Sequence, residues 1–304
     1  MALAGSDCYK EAHMLLEDCR YDGSRTFKLK DYPTSAKMNK GEKERYAELT
    51  RANTQKMAEL QEKLYADGRE GVVIMFQAMD AAGKDSTIKH VMSGVNPQGV
   101  SVYSFKTPSK EELAHDYLWR AIRNLPQRGN IAIFNRSYYE DVLVVRVKNL
   151  RDTYAMPARC KESPIDEFFD TRYRQIRDFE EYLYENGYRL LKVFLNVGLD
   201  EQKERFLARI DEPAKNWKFS AGDLAERALW PQYMDAFEKA IAATSTPRAP
   251  WYVIPADQKW YARYLVSEAV VGVLQDCDPQ FPTVSEADLA EMAECRRRLV
   301  NGEA

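Results

Sequence analysis

Residues 71–87 read GVVIMFQAMDAAGKDST. The opening GVVIMFQ is a nearly unbroken apolar, β-favouring run, the pattern of a strand buried on both faces of a parallel sheet. It runs into a loop spaced like the phosphate-binding pattern G-x-x-x-x-G-K-[ST]. Gly83 and Lys84 hold their places, while Ala78 stands for the first glycine and Asp85 stands where Ser or Thr normally follows the lysine. A helical stretch follows, so the loop lies between a buried strand and a helix start. There, backbone N–H groups and the helix dipole can hold phosphate. Lys84 supplies a point charge for a moving phosphoryl group. Asp80 is unusual in such a loop, because a carboxylate repels phosphate unless a cation intervenes; this points to a Mg²⁺ ligand.

Outward from this stretch, VSVYSF (100–105), IAIFN (131–135), RLLKVFLNV (189–197) and PWYVIP (250–255) read as further strands. Helical patterns separate them at 84–92, 110–124, 164–186, 200–210, 223–242 and 258–275. Upstream, Leu49, Asn53, Met57, Leu60 and Leu64 share one face of a helix over 42–67 that Gly68 ends. Such alternation predicts an α/β fold: a central parallel five-stranded sheet with helices on both faces. Residues 20–41 read as an extended arm. Binding sites in such sheets lie beyond the carboxyl ends of the strands.

Composition narrows the function classes. The chain has 304 residues, about two domains or one large α/β domain. It is 45% hydrophobic and 30% charged, which suits a sizeable core rather than a disordered chain. Lys+Arg number 44 and Asp+Glu 47, a net charge of −3. That argues against a nucleic-acid binder working through bulk basic charge. No apolar run is long enough for a membrane span, and MALAGSDCYK lacks the pattern of a secretory signal. Five scattered cysteines with no C-x-x-C exclude a disulfide framework and a zinc knuckle, and imply a reducing, cytoplasmic setting. Three histidines leave little room for a His-rich metal site. The charge is uneven: residues 20–51 carry +4 and residues 276–304 carry −4. These read as solvated surface segments, or as ends that pack on each other or on a second chain.

After IAIFN comes Arg136-Ser137-Tyr138-Tyr139-Glu140-Asp141. Phosphate-loop enzymes usually end this strand in an acidic, metal-linked residue; here Asn135 holds the position. Arg136 points into the same crevice. Glu140 and Asp141 can replace the missing carboxylate, hold a nucleotide ribose, or simply answer a helix dipole. After the fourth strand, Arg205 and Arg209 share a helix face. Pro213 ends that helix, Lys215 and Lys218 follow, and Ser220 to Asp223 is a capping-box-like restart. Two helices joined by a basic loop look like a nucleotide-kinase lid.

At this point a family resemblance is plain. DAAGKDSTIKHVMSGVNPQG (80–99), FKTPSKEELAHDYLWR (105–120), FNRSYYEDVL (134–143), RQIRDFE (174–180), DEPAKNWKFSAGD (211–223) and TPRAPWYVIPADQKWYAR (246–263) resemble the polyphosphate kinase 2 family. The likeness spans roughly residues 20–275. It implies a thymidylate-kinase-like P-loop kinase fold that moves phosphate between inorganic polyphosphate and nucleotides with Mg²⁺, Mn²⁺ being a substitute. Many members carry Asp in place of Asn135 and Asn-Arg in place of Glu140-Asp141. The form found here looks like the class III subgroup, which phosphorylates both AMP and ADP.

On that resemblance Asp80, Lys84 and Arg136 are the catalytic residues, with Asp80 and Asp141 toward the metal. Ala82, Gly83, Asp85 and Ser86 of the loop bind phosphate. Lys89, Arg177, Arg205, Arg209, Lys215 and Lys218 line a polyphosphate channel. Lys106, Asn135, Glu140 and Asp141 are the nucleotide-side candidates. The expected organisation is an arm and helix (1–70), a P-loop kinase domain (71–277) with its lid at about 203–225, and an acidic tail with a short helix (278–304). The expected partners are polyphosphate, adenine and secondarily guanine nucleotides, and further copies of the chain as a dimer or tetramer, with neither nucleic acid nor membrane. An ATP-dependent nucleoside monophosphate kinase and a silent phosphate-loop binding module stay open as alternatives.

Overall fold

The computed structural model describes residues 16–36 and 40–303. Cys8 and His13 lie outside them. Six strands form one mixed sheet: β1 (Arg20–Tyr21), β2 (Gly71–Gln77), β3 (Val100–Ser104), β4 (Ile131–Asn135), β5 (Tyr188–Asn196) and β6 (Trp251–Pro255), in the order β1-β6-β5-β2-β4-β3. β2 to β6 are parallel, as expected, and occupy the predicted stretches to within two residues. The sixth strand, β1, is a two-residue antiparallel addition to β6. Nothing so short has a readable periodicity.

The main helices are α1 (Lys43–Asp67), α2 (Lys84–Val91), α3 (Ile165–Glu185), α4 (Leu199–Asp211), α5 (Ala221–Ala228), α6 (Trp230–Thr244), α7 (Lys259–Asp276) and α8 (Glu286–Asn301). Every residue of β2 is buried. Because strand side chains alternate between faces, both faces of the sheet must be covered. α1 and α2 pack on α7, α6 packs on α3, and both groups reach β5. α1 buries Tyr46, Asn53, Met57, Gln61 and Leu64. Gly68 ends it at φ +66°, its N–H closing on Leu64 O at 3.0 Å.

Two helices predicted as continuous are broken. In 110–124 the side chain of Asp116 accepts from Leu118 N at 2.9 Å. This Asx turn leaves two single turns, Lys110–Leu113 and Trp119–Ile122. In 223–242 the chain stops after α5 and restarts with Pro231 in the first turn of α6, where its missing N–H costs no helical bond. The C-terminal helix α8 is sixteen residues long rather than short, and lies exposed along its length. The positive arm packs on the body rather than on the acidic tail, among the described residues. Tyr21, Phe27 and Leu29 are buried, and Lys28 pairs with Glu238 of α6 at 2.9 Å. Thr34 Oγ1 donates to Asp257 Oδ2 at 2.8 Å just after β6.

Candidate active site

The carboxyl ends of the strands gather the loop after β2, Phe105 and Lys106 after β3, Arg136 after β4, and the starts of α4 and α7. The loop turns through left-handed backbone at Ala81 (φ +61°) and Gly83 (φ +106°). Gly83 suits such a turn because it has no Cβ. Lys84 lies 9% exposed beneath the loop, its Nζ donating to Ala78 O (2.8 Å) and Met79 O (3.3 Å). Burial, reinforced by the nearby Arg136 cation, lowers its pKa to about 8. Ser86 Oγ donates to Gly83 O at 3.0 Å.

Arg136 also has left-handed backbone, at φ +64°, and its N–H donates to Phe76 O at 2.9 Å. Its guanidinium pairs with Asp80 at 2.8 Å and with Glu140 at 3.4 Å. Burial raises the Glu140 carboxyl pKa against the opposing charges of Arg136 and Lys84. The Asp141 carboxyl is pushed up to about 6, chiefly by burial, although it accepts the Tyr154 hydroxyl.

Two cavities meet at this point. The larger, about 910 Å³, runs from the loop to Arg209, Lys215 and Lys218 at and beyond the end of α4. Its wall carries nine Lys and Arg side chains against the two carboxylates Asp80 and Asp85. The smaller, about 540 Å³, lies between Gln77–Asp80, Glu140, Asp141 and the α5–α6 pair. Asp80, Phe105, Lys106, Thr107 and Arg136 belong to both walls.

The expected residues are not all brought together. Asp80, Gly83, Lys84, Asp85, Ser86, Arg205, Arg209, Lys215 and Lys218 line the larger cavity. Glu140 and Asp141 line the smaller, and Lys106 reaches both. Ala82 is buried behind the loop. Asn135 faces the larger cavity rather than the nucleotide-side one, and donates to Asp85 at 2.6 Å. The parallel pairing of β4 beside β2 puts its last residue next to the start of α2. Lys89 is exposed on α2 and belongs to neither wall. Arg177 also lies outside both, its guanidinium donating to Ala243 O at the end of α6.

Arg205 is spent on structure. It donates to Ala81 O (3.0 Å) and Ala82 O (2.6 Å) of the loop, to Ala256 O (2.6 Å) and Asp257 O (3.1 Å) before α7, and to Glu201 (2.7 Å). It therefore clamps the loop from below. After α4, Ser220 caps α5 through Gly222 N, and Asp223 turns away to bind Arg209 at 2.8 Å. That pair ties α4 to α5 in place of a capping box.

Sequence reasoning missed Lys259 and Arg263, one turn apart on α7, which add two cations to the larger cavity. The buried Nε of Arg263 has no hydrogen-bond partner. Their signal was present in QKWYAR as an i, i+4 basic pair at a helix start. Tyr154, Tyr233 and Glu226 of the smaller cavity were missed as well; Tyr233 donates to Glu226 at 2.5 Å.

No group of three or more His, Cys, Asp or Glu converges as a metal cage among the described residues. Mg²⁺ beside phosphates needs only one or two carboxylates, with phosphate oxygens and water completing its shell. Asp80 fits that need: it is partly exposed on the shared wall, with Oδ1 engaged by Arg136.

Comparison with known proteins places the chain in a family. A family model described as polyphosphate kinase 2 matches residues 40–282. An ADP-polyphosphate phosphotransferase of Rhodopseudomonas palustris is 48% identical over 273 residues, 90% of this chain and 94% of its own. An AMP/ADP-polyphosphate phosphotransferase of Meiothermus ruber is 46% identical over 87% of this chain and 96% of its own. The crystal structure of polyphosphate kinase 2 from Arthrobacter aurescens TC1 superposes with a TM-score of 0.81 at 38% identity, covering 93% of this chain and 96% of that one. With a matched stretch that takes in every parallel strand and both cavity walls, the chain belongs to the polyphosphate kinase 2 family.

Proposed function

We propose that the protein transfers the terminal phosphoryl group of inorganic polyphosphate to AMP and ADP, giving ADP and ATP, reversibly and with Mg²⁺. The observation that carries this reading is the wall common to the two cavities. A cation-lined cavity suits a polyanionic donor, and a smaller one with aromatic and acidic walls suits a nucleotide. A group held at Asp80 and Arg136, which with Phe105, Lys106 and Thr107 make up that wall, touches both.

In this reading the donor lies along Lys84, Arg209, Lys215, Lys218, Lys259 and Arg263. The acceptor's terminal phosphate oxygen, already ionised near neutral pH, attacks the end phosphorus. A new P–O bond forms to the acceptor as the bond to the shortened polyphosphate breaks. No strong general base is required, and positioning with charge neutralisation does most of the catalysis. Lys84 and Arg136 stabilise charge on the moving phosphoryl, and Arg205 holds the loop that presents it. Asp80 would hold Mg²⁺, which would supply positive charge to the phosphate oxygens. Glu140 and Asp141 face the nucleotide.

Cys160 and Cys295 are exposed free thiols and Cys277 a buried one, in keeping with a cytoplasmic setting. None of the described helices is long and apolar enough to cross a membrane. We extend the reading to a homo-oligomer.

The test is to supply purified enzyme with AMP, polyphosphate and Mg²⁺ but no ATP. ADP and then ATP are expected. Product formation only when ATP is the donor would replace this reading with an ordinary nucleoside monophosphate kinase.

A further inference from the structure

Between Arg136 and Glu140 the chain buries two tyrosines, Tyr138 and Tyr139, stacked at 5.2 Å. Both hydroxyls donate to one oxygen of Glu180 on α3, at 2.9 and 2.8 Å. The other Glu180 oxygen meets Lys192 Nζ of β5 at 2.6 Å. Lys192 is wholly buried, and it also donates to Tyr139 Oη (3.2 Å) and to Thr244 O at the end of α6 (2.8 Å). Trp251 Nε1 of β6 holds Thr244 Oγ1 at 3.1 Å. Every donor of the ammonium is used, and the carboxylate accepts three bonds.

This arrangement needs a reason beyond stability. A buried ion pair is seldom more stabilising than apolar residues of the same volume, and phenylalanines would fill the space of both tyrosines. What hydroxyls on a fixed carboxylate add is orientation. The loop needs it, because Arg136 sits in left-handed backbone that a residue with a Cβ avoids unless its surroundings hold it there. Ser137 adds one local tie, Oγ accepting from Tyr139 N at 3.2 Å. The tyrosine hydroxyls join the loop to α3, β5 and, through Lys192, α6.

We infer that Glu180 and Lys192 are positioning residues for phosphoryl transfer: acting through Tyr138 and Tyr139, they hold Arg136 and Glu140 on the wall shared by the two cavities. The inference rests on Arg136 being the phosphate clamp.

The experiment measures kcat, KM for AMP and polyphosphate, and Tm for Tyr139→Phe, Arg136→Lys, Arg136→Ala and the Tyr139→Phe/Arg136→Lys double variant. Tyr139→Phe removes one oxygen and keeps the ring. Its kcat should fall roughly 10- to 100-fold with KM little changed, because displacement of a transition-state contact acts on turnover. In the Arg136→Lys background the same change should cost nothing further, since residues that act through one another are non-additive. A polar-free set, Glu180→Leu and Lys192→Met with Tyr138→Phe and Tyr139→Phe, removes the hydroxyls together with their acceptor, so Tm should change little while turnover is lost. Wild-type kcat in folded Tyr139→Phe, or losses that simply multiply in the double variant, would overturn the proposal while leaving the site intact. Wild-type turnover in Arg136→Ala would overturn the site assignment and this proposal with it.

Discussion

On the proposed reading, the two cavities that meet at Arg136 recognise their substrates by different physics. In the larger one the cations come from the loop, β3, β4, the lid and α7, and several keep ammonium or guanidinium groups toward open space. Contacts of that kind are indifferent to which phosphate of a chain they meet, so a repeating donor can slide without losing binding. The smaller cavity spends its polar groups on one another, Tyr154 on Asp141, Tyr233 and Lys148 on Glu226. Groups already oriented by neighbours select an acceptor by shape and hydrogen-bond position. The enzyme thus joins a tolerant half to a discriminating half, and substitutions should separate them.

The largest effects are expected at the shared wall and in the loop beside it. Lys84→Ala or Arg136→Ala should lower kcat by roughly 10³-fold or more for both AMP and ADP, by analogy with arginine fingers. A loss confined to one acceptor would show that the wall is not common. Next, Lys259→Ala or Arg263→Ala should raise KM for polyphosphate roughly tenfold, a charge-assisted contact being worth about 1.5–3 kcal/mol before solvent screening. KM for AMP should stay put, and steady-state titration of each substrate reads the split.

Asp141 gives the reverse split. Asp141→Asn should raise KM for AMP and leave that for polyphosphate alone. Its raised pKa, from 3.8 to about 6, also carries a stability sign. The native state holds this proton more tightly than the unfolded chain, so its contribution to stability is lost as pH rises through about 6. Asp141→Asn should therefore stabilise the fold at pH 7 by on the order of 2 kcal/mol and give little at pH 4. Thermal melts at the two pH values check this.

Lys84, with its pKa lowered to about 8, must be protonated to neutralise phosphate. In the free enzyme kcat/KM should fall as pH rises past about 8, a several-fold loss that Lys84→Arg should move to higher pH. The smallest effect is optical. Trp217 is 78% exposed on the lid beside Lys218. Its emission should shift to the blue with polyphosphate and hardly change with AMP, and the opposite ordering would exchange the roles of the cavities.

Much of this architecture was legible in the chain. β2 was readable because burial on both faces leaves no polar alternation to obscure it, and Lys84 because the loop spacing brings its partners within a few residues. Asn135 and Asp85 were visible as departures, but their mutual hydrogen bond depends on β4 lying beside β2, which composition does not reveal. Arg205 was read as a channel cation and does line the larger cavity, but its five structural bonds carry no sequence signal. Arg177 was misplaced for a related reason: its acceptor is a backbone carbonyl of α6, and carbonyls carry no sequence signal. The helix breaks after Ala114 and Leu229 were signalled by Asp116 and Pro231, local cues outweighed by the apolar periodicity around them.

The imbalance of the larger cavity has a consequence for encounter. Nine cations gathered there, in a chain whose formal charge is −3, leave the rest of the surface more negative than the total implies. Beyond about 8 Å at physiological salt each patch is screened from the next. A polyphosphate strand then meets its densest positive field at the cavity mouth. At pH 7 the protein should bind an anion-exchange resin and still retain a polyanion in its interior, so its capture of polyphosphate is a property of one aperture rather than of the molecule as a whole.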